Sequence, residues 1–499
     1  MTTLLAFVIL YLLVSIGIGL FAATRVHSAK DFAVAGRHLP LPVVTATVFA
    51  TWFGAEAVFG VSATFVKDGL RGVVADPFGS SLCLIIAGFF FAKYLYKLNI
   101  LTLGDYFRLR YNRTVEVLTT LCIVASYLGW VSAQIKALGL VFSVVTNDAV
   151  SQTAGMILGA AIVLTYTTFG GMLSVAILDF VQMGIIMGGM LYIAYVVSGN
   201  TGGVAPVLEH ARAAGKFEFF PQASLTEWLT FLGAWLTMML GSIPQQDVFQ
   251  RITSAKSVKV ALWGSFLGGS IYFCFTFVPM FIAYSATIID PERFLALMQT
   301  DYQRVLPMLV LDYTPVAAQV IFFGAVLSAI MSCSSATLLA PSVAFSENIV
   351  RGFYPQMRDH HFLWVMRVTI VCFAAVVLAF ALSTNASIFK MVENAYKVTL
   401  AGAFVPLFAG ALWKRANGQG ALAAIFGGLF TWLLVEVLIG EASPVPPQLL
   451  GLAASCLGMV VGSLLPQWVG RPGHPAPLHE HHAAAHTHHG GEPLHHHSS

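Results

Sequence analysis

The chain has 499 residues, of which 57% are hydrophobic and 10% are charged, and its mean hydropathy is +0.79. This composition excludes a soluble globule, because too few polar side chains are present to cover its surface. The net charge of +3 gives no sign of a nucleic-acid partner. The sequence therefore predicts an all-α protein that crosses the lipid bilayer many times.

Thirteen apolar runs have at least the length of about 17 residues that is needed to cross about 30 Å of hydrocarbon. They lie near residues 3–22, 42–65, 74–98, 115–146, 151–167, 171–198, 225–250, 257–288, 314–349, 362–382, 388–413, 420–439 and 447–467. The first run lacks a basic segment before it and a small-residue cleavage site after it. It therefore predicts a retained span and not a signal peptide.

The positive charges predict the orientation of these spans. If the N-terminus is outside, seventeen of the 26 lysines and arginines fall on the inner side. These seventeen are Arg25, Lys30, Arg37, Lys93, Lys97, Arg108, Arg110, Arg113, Arg251, Lys256, Lys259, Arg351, Arg358, Arg367, Lys414, Arg415 and Arg471. Because cytoplasmic loops carry the excess of basic residues, we expect an integral protein of the plasma (inner) membrane with an outer N-terminus and a cytoplasmic C-terminus.

The second and seventh spans carry signs of interruption. The second reads TATVFATWFGAEAVFGVSATF, with Gly54 at mid-depth, and the seventh reads LTMMLGSIPQQDVFQR, with Gly241 and Pro244. Breaks five spans apart are typical of transporters that are built from two inverted repeats. The expected organisation is an extra helix at 1–24, repeats at 42–198 and 225–413, two further helices at 420–467 and a tail at 468–499.

The ninth span carries hydroxyl and thiol groups deep in an apolar stretch, IFFGAVLSAIMSCSSATLLAPSVAF. Ala329, Ser332 and Cys333 fall at i, i+3 and i+4, so one carbonyl and two side chains share a helix face. Polar groups at this depth usually contact cargo or ions, and a dehydrated monovalent cation fits them. The alternative is that small polar residues only allow close helix packing.

Several motifs of the chain resemble those of the sodium:solute symporter family. They are VAGRHLP (34–40), ATWFGAEAVFG (50–60), LTLGDYFRLRYN (101–112), SVAILDFVQ (174–182), SIPQQDVFQR (242–251) and AIMSCSSATLLA (329–340). The resemblance implies thirteen transmembrane helices with a five-plus-five inverted repeat, the LeuT-type fold. It also implies a sodium ion as the coupling ion, without any other cofactor. Its expected ligands are the carbonyls of Ala50, Phe53 and Ala329 and the side chains of Ser332 and Cys333, with Asp179 close to the inward route.

Cys333 departs from the family pattern, in which many members carry serine or threonine. Sodium prefers hard oxygen ligands, so a neutral thiol is a poor substitute. Three alternatives follow: a weaker sodium site, recruitment of Ser335 or water, or conversion to proton coupling with Asp179 as the titrating group. An uncoupled carrier of the same fold is a further alternative.

Within the family, the chain is similar to the high-affinity choline transporter branch. The resemblance implies that Trp52 and Trp130 form an aromatic cage for a quaternary ammonium by cation–π attraction. The positions of further rings hold Ser80 and Gln245 instead. Other candidate contacts with the solute are Glu56, Ser80, Gln245 and Gln246. The expected cargo is a small organic solute with a charged group: a choline-like cation, an amino acid or a carboxylate.

One further basic residue bears on this choice. Lys136 lies within a span and has no acidic partner nearby in sequence. If it faces the central cavity, it favours a carboxylate or an amino acid as cargo, whereas a lysine that snorkels carries no information about cargo.

The last 26 residues hold ten of the fifteen histidines and predict a disordered cytoplasmic tail. Such a tail can bind metal ions weakly and without specificity, through His479, His481, His482, His486, His488 and His489. A rival function of another class is a membrane sensor or receptor that acts with a separate partner chain. An enzyme finds no support, because no nucleophile with a base and no phosphate-binding motif is recognisable.

Overall fold

Helices make up almost all regular structure of residues 2–469, the part of the chain that the computed structural model describes. In the first half, the helices are α1 (Thr2–Ala23), α2 (Ala29–Val34), α3 (Leu41–Trp52), α4 (Glu56–Asp68), α5 (Leu70–Lys97), α6 (Leu103–Arg110), α7 (Arg113–Val145), α8 (Gln152–Thr201) and α9 (Val204–Ala213). A single β-bridge pairs Leu39 with Ala255 in the described residues and joins the two halves of the chain.

The second half of the chain contains eleven further helices. They are α10 (Leu225–Gly241), α11 (Gln246–Thr253), α12 (Val258–Ile289), α13 (Pro291–Thr300), α14 (Val305–Tyr313), α15 (Val316–Phe353), α16 (Asp359–Ser383), α17 (Ile388–Gly402), α18 (Phe404–Leu412), α19 (Gly418–Leu438) and α20 (Pro447–Leu464). Short 3₁₀ turns lie at Ala35–Arg37, Tyr302–Arg304 and Gly440–Ala442. The histidines of the tail lie outside the described residues.

Nine helices of residues 2–469 are long and apolar enough to cross a membrane, and the number rises to eleven if each of two bent helix pairs is one span. The protein is therefore an all-helical membrane protein. Large apolar side chains on its outside, such as Leu13 on α1 and Val437 on α19, are more than half exposed. Such side chains suit contact with lipid tails.

Helix α8 combines two stretches that the sequence predicts as separate spans. Its 50 residues would extend for about 75 Å at 1.5 Å per residue, more than twice the hydrocarbon thickness. Gly171 interrupts it with a φ of 57° and a ψ of −142°. A Cβ at this residue would lie 2.5 Å from Phe32 O, so the close approach of the segment before α3 also requires glycine.

Three spans are visibly broken. Helices α3 and α4 meet at 55° around Phe53–Ala55, which confirms the interruption that the second span predicts. Residues 242–245 separate α10 from α11, as the seventh span predicts. A third break, a bend of 46° between α17 and α18, has no counterpart among the sequence predictions. Helices α3, α8, α11 and α15 pack together around the first two breaks.

Candidate functional site

The break between α3 and α4 is held by contacts that only glycine permits. A Cβ at Gly54 would lie 2.5 Å from the Cβ of Cys333 and 2.9 Å from its Sγ, so α15 touches the backbone there. Gln134 of α7 accepts a hydrogen bond from Ala55 N at 2.9 Å. The first free amide at the beginning of α4 is therefore already satisfied by the protein.

Oxygen atoms of three helices converge one turn before this break. Ser332 Oγ lies 3.0 Å from Ala50 O and 2.5 Å from Asp179 Oδ1. Thr47 Oγ1 donates to Asp179 Oδ2 at 2.6 Å. All four residues are buried, with at most 1% of Ser332 exposed. The set consists of carbonyl, hydroxyl and carboxylate oxygens, which are the donors that a hard cation prefers.

The structure brings Ala50, Asp179 and Ser332 into direct contact and adds Thr47, which no sequence pattern indicated. Thr47 precedes Ala50 by three residues and therefore shares its helix face. Ala329 is fully buried on α15, and Phe53 is fully buried directly after the end of α3. The side chain of Cys333 packs against Gly54. Ser335 Oγ donates to the carbonyl of Ser332 within its own helix.

Charged side chains of α11 lie next to this cluster. Arg251 is 2% exposed and its Nε donates to Thr51 Oγ1 at 2.8 Å. Its Nη1 donates to Asp247 O at 3.3 Å. Among the described residues, no carboxylate lies within 4 Å of the Arg251 guanidinium. Asp179, Asp247 and Arg251 together carry a formal charge of −1, which a monovalent cation would neutralise.

Four aromatic rings form a cluster on the other side of Asp247. Trp130 lies edge-on to Trp52 at 6.1 Å, stacks on Tyr127 at 5.7 Å and lies 5.4 Å from Tyr396. Trp52 Nε1 donates to Asp247 Oδ2 at 2.8 Å, and the Tyr127 hydroxyl donates to Oδ1. The two predicted tryptophans thus meet, and the structure supplies two further rings and a carboxylate that the sequence did not indicate.

Ser80 contacts an acidic residue that the sequence did not single out. Asp76 interrupts α5, and its Oδ1 accepts hydrogen bonds from Ser80 Oγ and from the Tyr272 hydroxyl, both at 2.6 Å. Glu56 is buried at the beginning of α4, which packs against this part of α5. Two acidic side chains are therefore buried on neighbouring segments of the protein.

The two predicted glutamines point to different neighbours. Gln245 Nε2 lies 3.0 Å from Thr399 Oγ1 and 3.2 Å from Ser126 Oγ, and this side chain bridges α17 and α7. Gln246 Oε1 accepts from Leu103 N at 2.9 Å, at the beginning of α6. Gln245 therefore lies between helices of the aromatic cluster, whereas Gln246 contacts the beginning of α6.

Lys136 donates to the carbonyl of Thr384 and lies 3.5 Å from that of Ala386, in the loop before α17. These backbone oxygens partner its ammonium group. Within residues 2–469, no group of three or more His, Cys, Asp and Glu side chains has an arrangement suited to a metal ion.

Two cavities adjoin the site. The larger, of about 460 Å³, is lined by residues of α5, α10 and α17 that include Ala75, Glu227 and Glu393. The smaller is a narrow cleft of about 10 Å³, lined by Thr51, Trp52, Asp247 and Arg251 with apolar neighbours.

Broken helices that enclose buried polar and charged groups next to an aromatic cluster are typical of membrane transporters. The family model described as the sodium:solute symporter family matches residues 32–428. The chain therefore belongs to the sodium:solute symporter family, and it is a secondary active symporter of small solutes. This confirms the family that the sequence motifs predict.

Characterised relatives fall in several substrate branches. The chain is 29% identical over 447 residues to "High affinity choline transporter 1" of Homo sapiens, across 86% of this chain and 75% of that protein. It is 23% identical over 484 residues to "Osmoregulated proline transporter OpuE" of Bacillus subtilis, across 91% of this chain and 93% of the relative.

Solved structures share the fold. A Na⁺-coupled sialic acid symporter in a substrate-bound outward-open state superposes with a TM-score of 0.80 at 17% identity, over 93% of this chain and 98% of that one. MhsT in complex with L-phenylalanine superposes with a TM-score of 0.53 at 13% identity, over 85% and 98% of the two chains.

Proposed function

We propose that the protein couples the inward movement of Na⁺ to the uptake of a small organic cation by alternating access. The observation that carries the sodium assignment is the contact of Ser332 Oγ with both Ala50 O and Asp179 Oδ1. It joins the inner half-helix α3 to α8 and α15 at one point. The proposed ligands are drawn from Ala50, Phe53, Ala329, Ser332 and Asp179, with Thr47 added; Cys333 packs beside them.

Sodium binding would act by replacing hydrogen bonds with ion contacts. The hydroxyls of Thr47 and Ser332 now direct their protons toward Asp179, and their oxygens would turn toward a bound ion. The ion would then hold α3 against α15 and favour the conformation in which the solute site is formed. Because this coupling is reciprocal, solute binding would raise sodium affinity by the same factor. Inward opening would release both to a cytosol low in sodium.

The charges around the solute site support a cationic cargo. Asp247 lies against the aromatic cluster, and two further acidic side chains, Glu56 and Asp76, are buried where α4 packs against α5. The amide of Ala55, which a carboxylate could otherwise use, is occupied by Gln134. Trp52, Trp130, Glu56, Ser80 and Gln245 are therefore proposed to line the solute site, and Gln246 is proposed to act at its base through α6.

Thirteen spans in a five-plus-five repeat complete the proposal. They consist of the nine long helices, the two bent pairs, a second span from the division of α8 at Gly171, and α10 with α11 as a third broken span. The breaks at α3/α4 and α10/α11 would open the two repeats. The orientation with an outer N-terminus in the plasma membrane follows from the basic residues.

The test of the sodium site uses two serines of the same helix. Ser332→Ala removes an oxygen of the proposed site, whereas Ser334 donates to Ile330 O within α15 and serves as the matched control. The melting temperature of purified protein is followed against NaCl, with KCl at equal ionic strength. Ligands that bind the folded state stabilise it by RT ln(1 + [L]/Kd), so the melting temperature rises with ligand concentration relative to Kd.

We expect Ser332→Ala to require about tenfold more sodium for the same shift, the equivalent of about 1.4 kcal/mol, and Ser334→Ala to resemble wild type. An equal response to Na⁺ and K⁺, together with uptake driven by a pH gradient alone, would show that the coupling ion is a proton carried by Asp179 and not sodium. The cation claim is tested with choline against its uncharged isostere 3,3-dimethylbutan-1-ol; preferential binding of the isostere would contradict it.

A further inference from the structure

A continuous set of polar contacts connects the proposed sodium site to the aromatic cluster. From the sodium side, Thr47 Oγ1 contacts Asp179, and Thr47 O accepts from Thr51 Oγ1 at 2.5 Å. Thr51 Oγ1 in turn accepts from Arg251 Nε at 2.8 Å. Every member is buried, and Thr51 is 1% exposed.

The second part of the connection runs through α11. Arg251 Nη1 donates to Asp247 O at 3.3 Å, and the side chain of Asp247 accepts from both Trp52 Nε1 and the Tyr127 hydroxyl. Asp247 N also donates to Tyr127 OH at 2.9 Å. One residue of α11 therefore fixes two rings of the aromatic cluster, and the next helical turn holds the arginine that contacts α3.

These contacts bind the inner half-helices of the two broken spans to each other. Arg251 with Thr51, and Asp247 with Trp52, form two polar cross-links between α11 and α3. Thr47 and Ala50, two of the proposed sodium ligands, lie on the same helix α3 within about one turn of Thr51. A displacement of α3 by sodium would therefore move α11 and the aromatic rings with it.

Arg251 carries a donor that can respond to the ion. Its Nη2 has no hydrogen-bond partner among the described residues, although the side chain is 2% exposed. Thr51, Trp52, Asp247 and Arg251 all line the same narrow cleft. A buried guanidinium with an unused donor gains a hydrogen bond when a movement of α3 or α11 brings an acceptor within reach.

We propose that Thr51 and Arg251 are positioning residues that transmit sodium binding to the solute site. They act through the hydrogen bond between Thr51 Oγ1 and Arg251 Nε, and neither touches the solute. This role of Thr51 and Arg251 rests on the proposed sodium site. It assigns the coupling between ion binding and solute binding to a single contact between α3 and α11. Sodium alone, without any solute, should therefore alter the environment of Trp52.

The experiment measures two responses to NaCl in the full-length purified protein, with KCl as the reference. The shift in melting temperature reports occupancy of the sodium site. The change in tryptophan fluorescence reports the aromatic cluster, and the part that disappears in Trp52→Phe is assigned to Trp52. Thr51→Val removes the hydroxyl, and Thr51→Ser keeps it. Thr253→Val is the matched control, because Thr253 Oγ1 donates only to Phe249 O within α11.

We expect Thr51→Val to retain the sodium-dependent rise in melting temperature and to lose at least about fivefold of the Trp52 response, the lower end of ordinary coupling factors. Thr51→Ser and Thr253→Val should keep both responses. A full Trp52 response in Thr51→Val overturns the inference and leaves the sodium site standing. The absence of any sodium-dependent shift in wild type refutes the sodium site itself. If Thr51→Val does not fold, Arg251→Lys is measured, with the same expected loss and the same overturning result.

Discussion

Substitution of Gly54 by alanine tests how closely α15 must approach the broken span. The added Cβ would lie 2.5 Å from Cys333 Cβ, 2.7 Å from Gln134 Oε1 and 2.9 Å from Cys333 Sγ. Carbon atoms in contact prefer about 3.5–4.0 Å, so α15 would have to move away by about 1 Å. Overpacking of this kind costs about 1–3 kcal/mol of folding free energy.

The same displacement should weaken sodium binding, because Ser332 neighbours Cys333 on α15. Its 3.0 Å contact with Ala50 O would lengthen together with the helix movement. We expect Gly54→Ala to lower the melting temperature in KCl and to raise the NaCl concentration that gives the same shift as in wild type. Both quantities come from one series of thermal melts in detergent.

Two further variants serve as a control and as a compensating substitution. Gly184→Ala is the control, because a Cβ there meets nothing within 4 Å, and it should leave stability unchanged or raise it by up to about 1 kcal/mol, since alanine favours a helix over glycine. Cys333→Gly removes both atoms of Cys333 that the new Cβ would meet, Cβ and Sγ. Combined with Gly54→Ala, it should therefore recover part of the lost stability, since neighbouring sites show such coupling at about 0.5–3 kcal/mol. A Gly54→Ala protein with wild-type melting and sodium dependence would refute the reasoning.

Three other predictions follow from individual contacts. Gln134→Leu leaves Ala55 N buried without an acceptor and should cost about 1–3 kcal/mol in thermal melts, whereas an unchanged melting temperature would show that water replaces the amide. Asp179→Asn should raise the sodium requirement about tenfold or more, and equal sodium titrations of variant and wild type would exclude Asp179 from the site. Lys136→Met should lower stability by removing the contact with Thr384 O; a change in solute affinity beyond about twofold would place Lys136 on the cargo route.

Local patterns in the sequence determined the class of the protein and the location of its breaks. A hydrophobic run of sufficient length defines a span because a helix satisfies its own backbone hydrogen bonds in lipid. Gly54, Gly241 and Pro244 weaken helices wherever they occur. The family followed from motifs that the match over residues 32–428 confirms.

The bend at Ala403 was not among the sequence predictions, because residues 388–413 read as one apolar run. A local signal was present, since Pro406 cannot donate a backbone hydrogen bond to Gly402 O. In α8, the sequence predicted separate spans near residues 151–167 and 171–198, and Gly171, with its φ of 57°, lies between them. Hydrophobicity reports which residues avoid water, and it carries little information about the direction of the chain.

The composition of the site was decided by tertiary structure. The sequence identified Ser332 from helical spacing and Ala50, Asp179, Trp52 and Trp130 from the family resemblance. Thr47, Asp76 and Tyr127, together with Tyr396, Asp247 and Arg251, join the site only because distant helices place them against those residues. Side-chain chemistry is local in the chain, whereas the pairing of a carboxylate with a hydroxyl more than a hundred residues away depends on how the helices pack.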